Sequence, residues 1–220
     1  RRAKAVYTDM NKSFAHKGKV AVIGCGPGHP DYLTPAAEKA ALDCGILFGA
    51  PRFLDLFPDF SGEKRRISGD MEVLLRDISE LSERKRVGVL VSGDPGCFSL
   101  AENLKKRLGR DRCLIIPGIG SVQLAVSRLG LSWVDTGVFS IHGRKPPAAE
   151  KILGFDTAVI LFGRDLTGLD SIWEKIAPAF TCFFCRDLGL PGEQIWQATS
   201  LAELKGADPA NALLVLERKT

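Results

Sequence analysis

Three glycine-bearing turns carry the residue types best suited to holding a ligand. Gly24-Cys25-Gly26-Pro27-Gly28 follows the apolar run Val20–Ile23, and Ser92-Gly93-Asp94-Pro95-Gly96 follows Val87–Val91. Pro117-Gly118-Ile119-Gly120-Ser121 follows Leu114–Ile116. Glycine lacks a Cβ and tolerates positive φ, so turns of this composition let main chain approach a ligand closely. In an open α/β sheet the ligand sits outside the carboxyl ends of the strands, and three such turns predict one shared crevice.

Each turn has its own chemistry. In the first, a dinucleotide fingerprint would need a third glycine where His29 stands, and an acid after the second strand, which instead ends Leu47-Phe48-Gly49. The phosphate loop of nucleotide triphosphatases is also missing. In the second, Asp94 stands where it can cap a following helix or accept hydrogen bonds from a ligand. In the third, Ser121 and the neighbouring amides can hold a polar edge, although a plain helix cap would have the same sequence.

The elements that must position these turns alternate as in α/β architecture. Strands are expected at Val20–Ile23, Ile46–Phe48, Arg65–Ser68, Val87–Val91 and Cys113–Ile116. Thr34-Pro35 predicts a capped helix start running to Cys44, and apolar spacing predicts helices over Met71–Arg84 and Leu100–Leu108. A helix from Val122 to Leu129 opens a second half richer in strand. Strands are expected there at Val138–His142, Ala158–Phe162, Phe180–Cys185, Gln194–Ala198 and Ala212–Glu217, forming a mixed sheet. The expected organisation is a basic, disordered leader over residues 1–18, an α/β domain over 19–117 and a more strand-rich α/β domain over 118–220.

Composition narrows the class. The 220 residues are 45% hydrophobic and 25% charged, with no apolar run near the roughly 18 residues that span a bilayer. Of the net charge of +4, residues 1–19 carry six cations against Asp9, so the rest is almost neutral and offers no nucleic-acid footprint. Six scattered cysteines suit reduced thiols in the cytoplasm. Cys182 and Cys185 are expected on opposite faces of one strand, with no second pair or nearby histidine to complete a metal site.

Taken in order, the stretches Val22–Thr34, Val91–Gly96 and Ile116–Gln123 resemble the tetrapyrrole methylase family, over about residues 19 to 217. Within it, Gly93–Ser99, Val122–Ala125, Ser140–Arg144 and Leu188–Glu193 are most similar to the branch that methylates the corrin ring at C5 in cobalamin synthesis. The resemblance implies a two-domain α/β fold with the ligand cleft between the domains, S-adenosylmethionine as methyl donor, S-adenosylhomocysteine as product, and a homodimer. It implies a corrin-type polycarboxylate substrate and a separate C15-methyltransferase/decarboxylase as partner. Gly120 departs from the family, whose members often have serine there.

What the resemblance implies for the site is a cofactor held by Gly26, Pro27, Gly93, Asp94, Pro95, Ser121 and Val122, with Leu161 and Phe162 as apolar wall. For substrate carboxylates the candidates are His29, Arg52, His142, Arg144 and Arg164, since guanidinium groups match carboxylate geometry. His142 is also a candidate proton acceptor. A methyltransferase of the same fold acting on another tetrapyrrole, RNA or protein stays open as an alternative. So do a dinucleotide-dependent oxidoreductase and, further off, a silent binding module.

Overall fold

The computed structural model describes residues 18–141, 145–163 and 165–219. The chain divides into two compact units, one ending at Gly120 and the other beginning at Ser121.

In the first unit the elements are β1 (Val20–Gly24), α1 (Pro35–Leu42), β2 (Ile46–Gly49), α2 (Pro51–Leu54), β3 (Glu63–Arg66), α3 (Met71–Ser82), β4 (Val87–Val91), α4 (Ala101–Leu108) and β5 (Cys113–Ile116). The strands form one sheet in the order β3-β2-β4-β1-β5. Every pairing in it is parallel. Strands buried on both faces need apolar residues at every position, which is why β1 and β4 read as unbroken apolar runs. Val20, Val22, Val87 and Val89 pack on one face with Leu75 and Ile78 of α3 and Leu104 of α4. On the other face Ala21, Ile23, Leu47 and Leu90 pack with Ala37 and Ala41 of α1 and Phe53 and Leu54 of α2.

Local signals set the helix starts. The Thr34 hydroxyl accepts the Ala37 amide at 3.1 Å and Pro35 takes the first helical position of α1. Asp70 accepts the Glu72 amide at 2.7 Å at the start of α3. The entry to β1 is fastened from two sides: Gly18 donates its amide to the Ser82 carbonyl at 2.8 Å. Arg112, just before β5, donates to the Gly18 carbonyl at 2.6 Å and to Ser82 Oγ at 3.0 Å.

The second unit contains α5 (Ser121–Arg128), β6 (Gly137–Ser140), α6 (Ala149–Ile152), β7 (Thr157–Leu161), α7 (Asp170–Ile176), β8 (Phe180–Arg186), β9 (Gln194–Ala198), α8 (Leu201–Lys205) and β10 (Ala212–Arg218). Its sheet has the order β6-β7-β10-β8-β9 and is mixed, with β6 and β7 parallel and the other pairs antiparallel. Ile160, Phe184, Leu214 and Leu216 pack against Ile152, Ile172, Trp173 and Leu204. Cys182 belongs to that core and Cys185 is buried outside it, as strand alternation requires.

Two strand expectations shift by two residues. Glu63–Arg66 pairs in place of Arg65–Ser68, because an edge strand of four charged residues has no apolar pattern to mark its start. In the second unit β6 ends at Ser140, two residues before the expected end at His142. None of the helices formed by the described residues is long and apolar enough to cross a membrane.

Candidate functional site

The sheet order makes β4, β1 and β5 neighbours, so the three glycine turns leave adjacent strand ends. They meet through main chain. Cys25 donates its amide to the Val91 carbonyl at 2.9 Å, and Gly93 donates to the Gly26 carbonyl at 2.8 Å, so Gly26 and Gly93 form an isolated antiparallel bridge. A Cβ on Gly24 would lie 2.6 Å from both the Gly118 nitrogen and the Gly93 carbonyl oxygen. Any side chain at Gly24 or Gly118 would drive the turns apart. Gly26 has φ +60° and Gly93 has φ +63°, the left-handed region that favours glycine.

Asp94 caps no helix. Its Oδ1 accepts the Gly96 amide at 2.7 Å within its own turn, and its Oδ2 accepts the Gly118 amide of the third turn at 3.2 Å. The next helix starts only at Ala101, whose amide goes to Ser99 Oγ at 3.1 Å, while that hydroxyl donates to the Pro95 carbonyl at 2.6 Å. The carboxylate therefore ties the second turn to the third. Thr34 makes a comparable tie: besides capping α1 it donates to the Pro117 carbonyl at 3.5 Å.

The sequence-predicted residues fall into three groups. Gly26, Pro27, Gly93, Asp94 and Pro95 are brought together in the bridged turns of the first unit. His29 follows directly, its Nδ1 accepting the Asp31 amide at 3.3 Å. Arg52, on α2, stands beside the first turn, with its Cδ 3.5 Å from where a Cβ of Gly28 would be. In the second unit Ser121 opens α5 and is exposed, Val122 is buried, and Leu161 ends β7 half-buried. Phe162 is a core residue there, with its ring stacked on Phe184 at a centroid distance of 6.0 Å. His142, Arg144 and Arg164 lie outside the described residues.

Sequence reasoning missed the role of Glu193. Arg128 of α5 donates Nε to Glu193 Oε1 at 2.6 Å and Nη2 to Oε2 at 3.4 Å, and the Gly189 amide donates to Oε2 at 2.6 Å. The Arg128 bond, seconded by Gly189, holds the Glu193 carboxyl below the usual carboxylate range. The sequence marks Leu188–Glu193 as a stretch similar to the C5 branch, but gives Glu193 no partner.

No thiol in the bridged turns is poised for nucleophilic work. Burial pushes Cys25 up to about 12, and burial followed by the Asp94 charge raises Cys97. What the turns offer is rigid main chain at strand ends, a cradle of glycines that a Cβ would fill.

Residues 19–205 match the model of the Tetrapyrrole (Corrin/Porphyrin) Methylases. Over 125 residues the chain is 35% identical to a cobalt-precorrin-7 C(5)-methyltransferase of Salmonella typhimurium, covering 57% of this chain and 62% of that relative's length. A precorrin-6Y methylase of cobalamin biosynthesis from Archaeoglobus fulgidus superposes with a TM-score of 0.69 at 20% identity, over 92% of this chain and all of the other. Uroporphyrin-III C-methyltransferase from Thermus thermophilus, complexed with S-adenosylhomocysteine, gives 0.72 at 23% identity over 91% of this chain and 97% of that one.

Proposed function

Since the chain belongs to the tetrapyrrole (corrin/porphyrin) methylases, we propose that it methylates a corrin-ring intermediate, precorrin-6Y or cobalt-precorrin-7, at C5 in cobalamin biosynthesis. The observation that carries this reading is the meeting of three glycine turns at the ends of β4, β1 and β5, in a chain 35% identical over 125 residues to a cobalt-precorrin-7 C(5)-methyltransferase.

S-adenosylmethionine supplies an electrophilic methyl group on a sulfonium, a leaving group that needs no acid. The chain's contribution is then to hold donor and ring carbon in line, which is where positioning is worth most. Gly26, Pro27, Gly93 and Pro95 offer main-chain contacts to the cofactor in this reading, and Asp94 holds the second and third turns in register for it. Ser121, Val122, Leu161 and Phe162 are proposed to contribute from the second unit. His29 and Arg52 are proposed for substrate carboxylates, as are His142, Arg144 and Arg164. Six free cysteines suit a reducing compartment, so we place the enzyme in the cytoplasm. There it acts as a homodimer, with a separate protein for the C15 step.

The test is anaerobic mass spectrometry of a late corrin intermediate incubated with the protein and S-adenosylmethionine, beside a calorimetric titration of S-adenosylhomocysteine. Gain of one methyl without loss of carbon dioxide is expected. Binding of the homocysteine product with no methyl gain would overturn the C5 assignment and leave a methyltransferase with another acceptor.

A further inference from the structure

Among the described residues, edge strand β3 has its charge neutralised on one face and not on the other. Alternate residues of a strand point to opposite faces. On one face Glu63 takes Arg65 Nε at 2.6 Å and Lys85 Nζ at 3.0 Å, and the Arg65 guanidinium lies over the Phe48 ring at 5.8 Å. On the other face Lys64 and Arg66 are both exposed, and neither forms an ion pair with a described residue.

That second face is the one on which α2 packs. Strand register sets Lys64 beside Leu47 and Arg66 beside Gly49. Leu47 shares an apolar cluster with Phe53 and Leu54 of α2, which packs against both β2 and β3. In turn α2 abuts the first glycine turn: a Cβ on Gly28 would be 3.2 Å from the Phe53 ring. Arg52, over the Phe53 ring at 4.7 Å, stands on this same helix, which touches both the turn and β3. Phe48 pairs with Val89 and Leu90 with Ile23, so Arg66 lies in the last row of the sheet before the glycine turns begin.

Cations on an edge strand discourage strand addition, but that purpose sets no position along the strand. Here the exposed guanidinium stands at the carboxyl end, where α/β sheets bind ligands. From β1 to β3 is three strand spacings, about 14 Å, a reach comparable with a tetrapyrrole ring and its acidic side chains. Building on the methylase reading above, we propose that Arg66 and Lys64, together with Arg52, form a shelf that binds the outer carboxylates of the tetrapyrrole acceptor. Arg66 supplies the two-pronged contact that a guanidinium makes with a carboxylate, and Lys64 a point charge beside it.

The probe is the octacarboxylate uroporphyrin I, titrated by fluorescence into the wild-type chain, Arg66→Gln, Lys64→Gln/Arg66→Gln, and Lys85→Gln. The last removes the same charge from the neutralised face. S-adenosylhomocysteine is titrated into each by calorimetry. Arg66→Gln should weaken uroporphyrin about fivefold and the double variant more than tenfold, with Lys85→Gln within about twofold, as expected for exposed ion pairs. Affinity for S-adenosylhomocysteine should be unchanged throughout. Equal weakening by Arg66→Gln and Lys85→Gln, or none by either, overturns the shelf alone. A wild-type chain that binds S-adenosylhomocysteine but no uroporphyrin overturns the shelf and the tetrapyrrole acceptor together. One that binds neither overturns the methylase reading on which the shelf rests.

Discussion

Asp94 and Gly118, twenty-four residues apart, are joined by a carboxylate-to-amide bond of 3.2 Å that fastens the turn after β4 to the turn after β5. The same carboxylate closes its own turn on the Gly96 amide at 2.7 Å. One side chain thus fixes the relative placement of two of the three glycine turns. Hydrogen bonds to charged groups contribute about 1.5–3 kcal/mol each.

We predict that Asp94→Ala lowers unfolding stability by about 2 kcal/mol and weakens S-adenosylhomocysteine at least tenfold in the folded fraction. Asp94→Asn keeps one acceptor and should lie between. Urea unfolding and calorimetry on the same preparations separate the two effects. Full affinity in folded Asp94→Ala would show that the turns keep their register without the tie.

The glycines divide by what a Cβ would strike. At Gly24 it would be 2.6 Å from main-chain atoms of both neighbouring turns, whereas at Gly69, with φ +80°, nothing lies within 4 Å. Gly24→Ala should therefore cost about 3 kcal/mol or more and abolish S-adenosylhomocysteine binding, while Gly69→Ala costs about 1 kcal/mol of backbone strain and leaves binding intact. Chemical denaturation of the two variants side by side checks the ordering.

Much of this site was legible before the fold. Thr34-Pro35 announced a helix start, and the glycine and proline content of the turns announced close main-chain approach at strand ends. What each polar side chain does there was not legible. Asp94 read as a helix cap or ligand acceptor, yet its second partner is Gly118, a contact that only the β4-β1-β5 order creates. Strand β3 lies two residues before the expected Arg65–Ser68 for a related reason. Its pairing is set by β2, and its four charged residues carry no periodic apolar signal of their own.

The anchor of the Leu188–Glu193 stretch predicts a pH dependence. Arg128 holds the Glu193 carboxyl below its unfolded value, so its contribution is fully present above the unfolded pKa of about 4.3 and is lost as pH falls through the lower folded value. Glu193→Gln should lower the urea midpoint at pH 7, by an amount equivalent to about 1 kcal/mol for a partly exposed pair. The gap from wild type should narrow steadily below pH 4. A gap that stayed constant into acid would mean that shape, and not charge, is what Glu193 contributes.

Thiol reactivity should follow burial. Cys25, Cys44 and Cys185 are pushed up to about 12 and Cys182 to about 11 by burial, while Cys97 and Cys113 are only partly buried and less displaced. At pH 8 a disulfide reagent should modify Cys97 and Cys113 first, and the other four only at the rate at which the fold opens. Peptide mapping of early time points decides this. Labelling of Cys25 as fast as Cys97 would contradict the tight bridge between the first two turns.

The fastening of Gly18 by Ser82 and Arg112 has a practical side. It fixes the point where upstream chain joins the fold at the amino end of β1, while Gly24 and the bridged turns stand at the carboxyl end, about 13 Å away along the strand from Val20 to Gly24. A group attached at residue 18 itself is therefore joined at the opposite end of the sheet from the glycine cradle. That end is the one from which to tether the protein for binding assays.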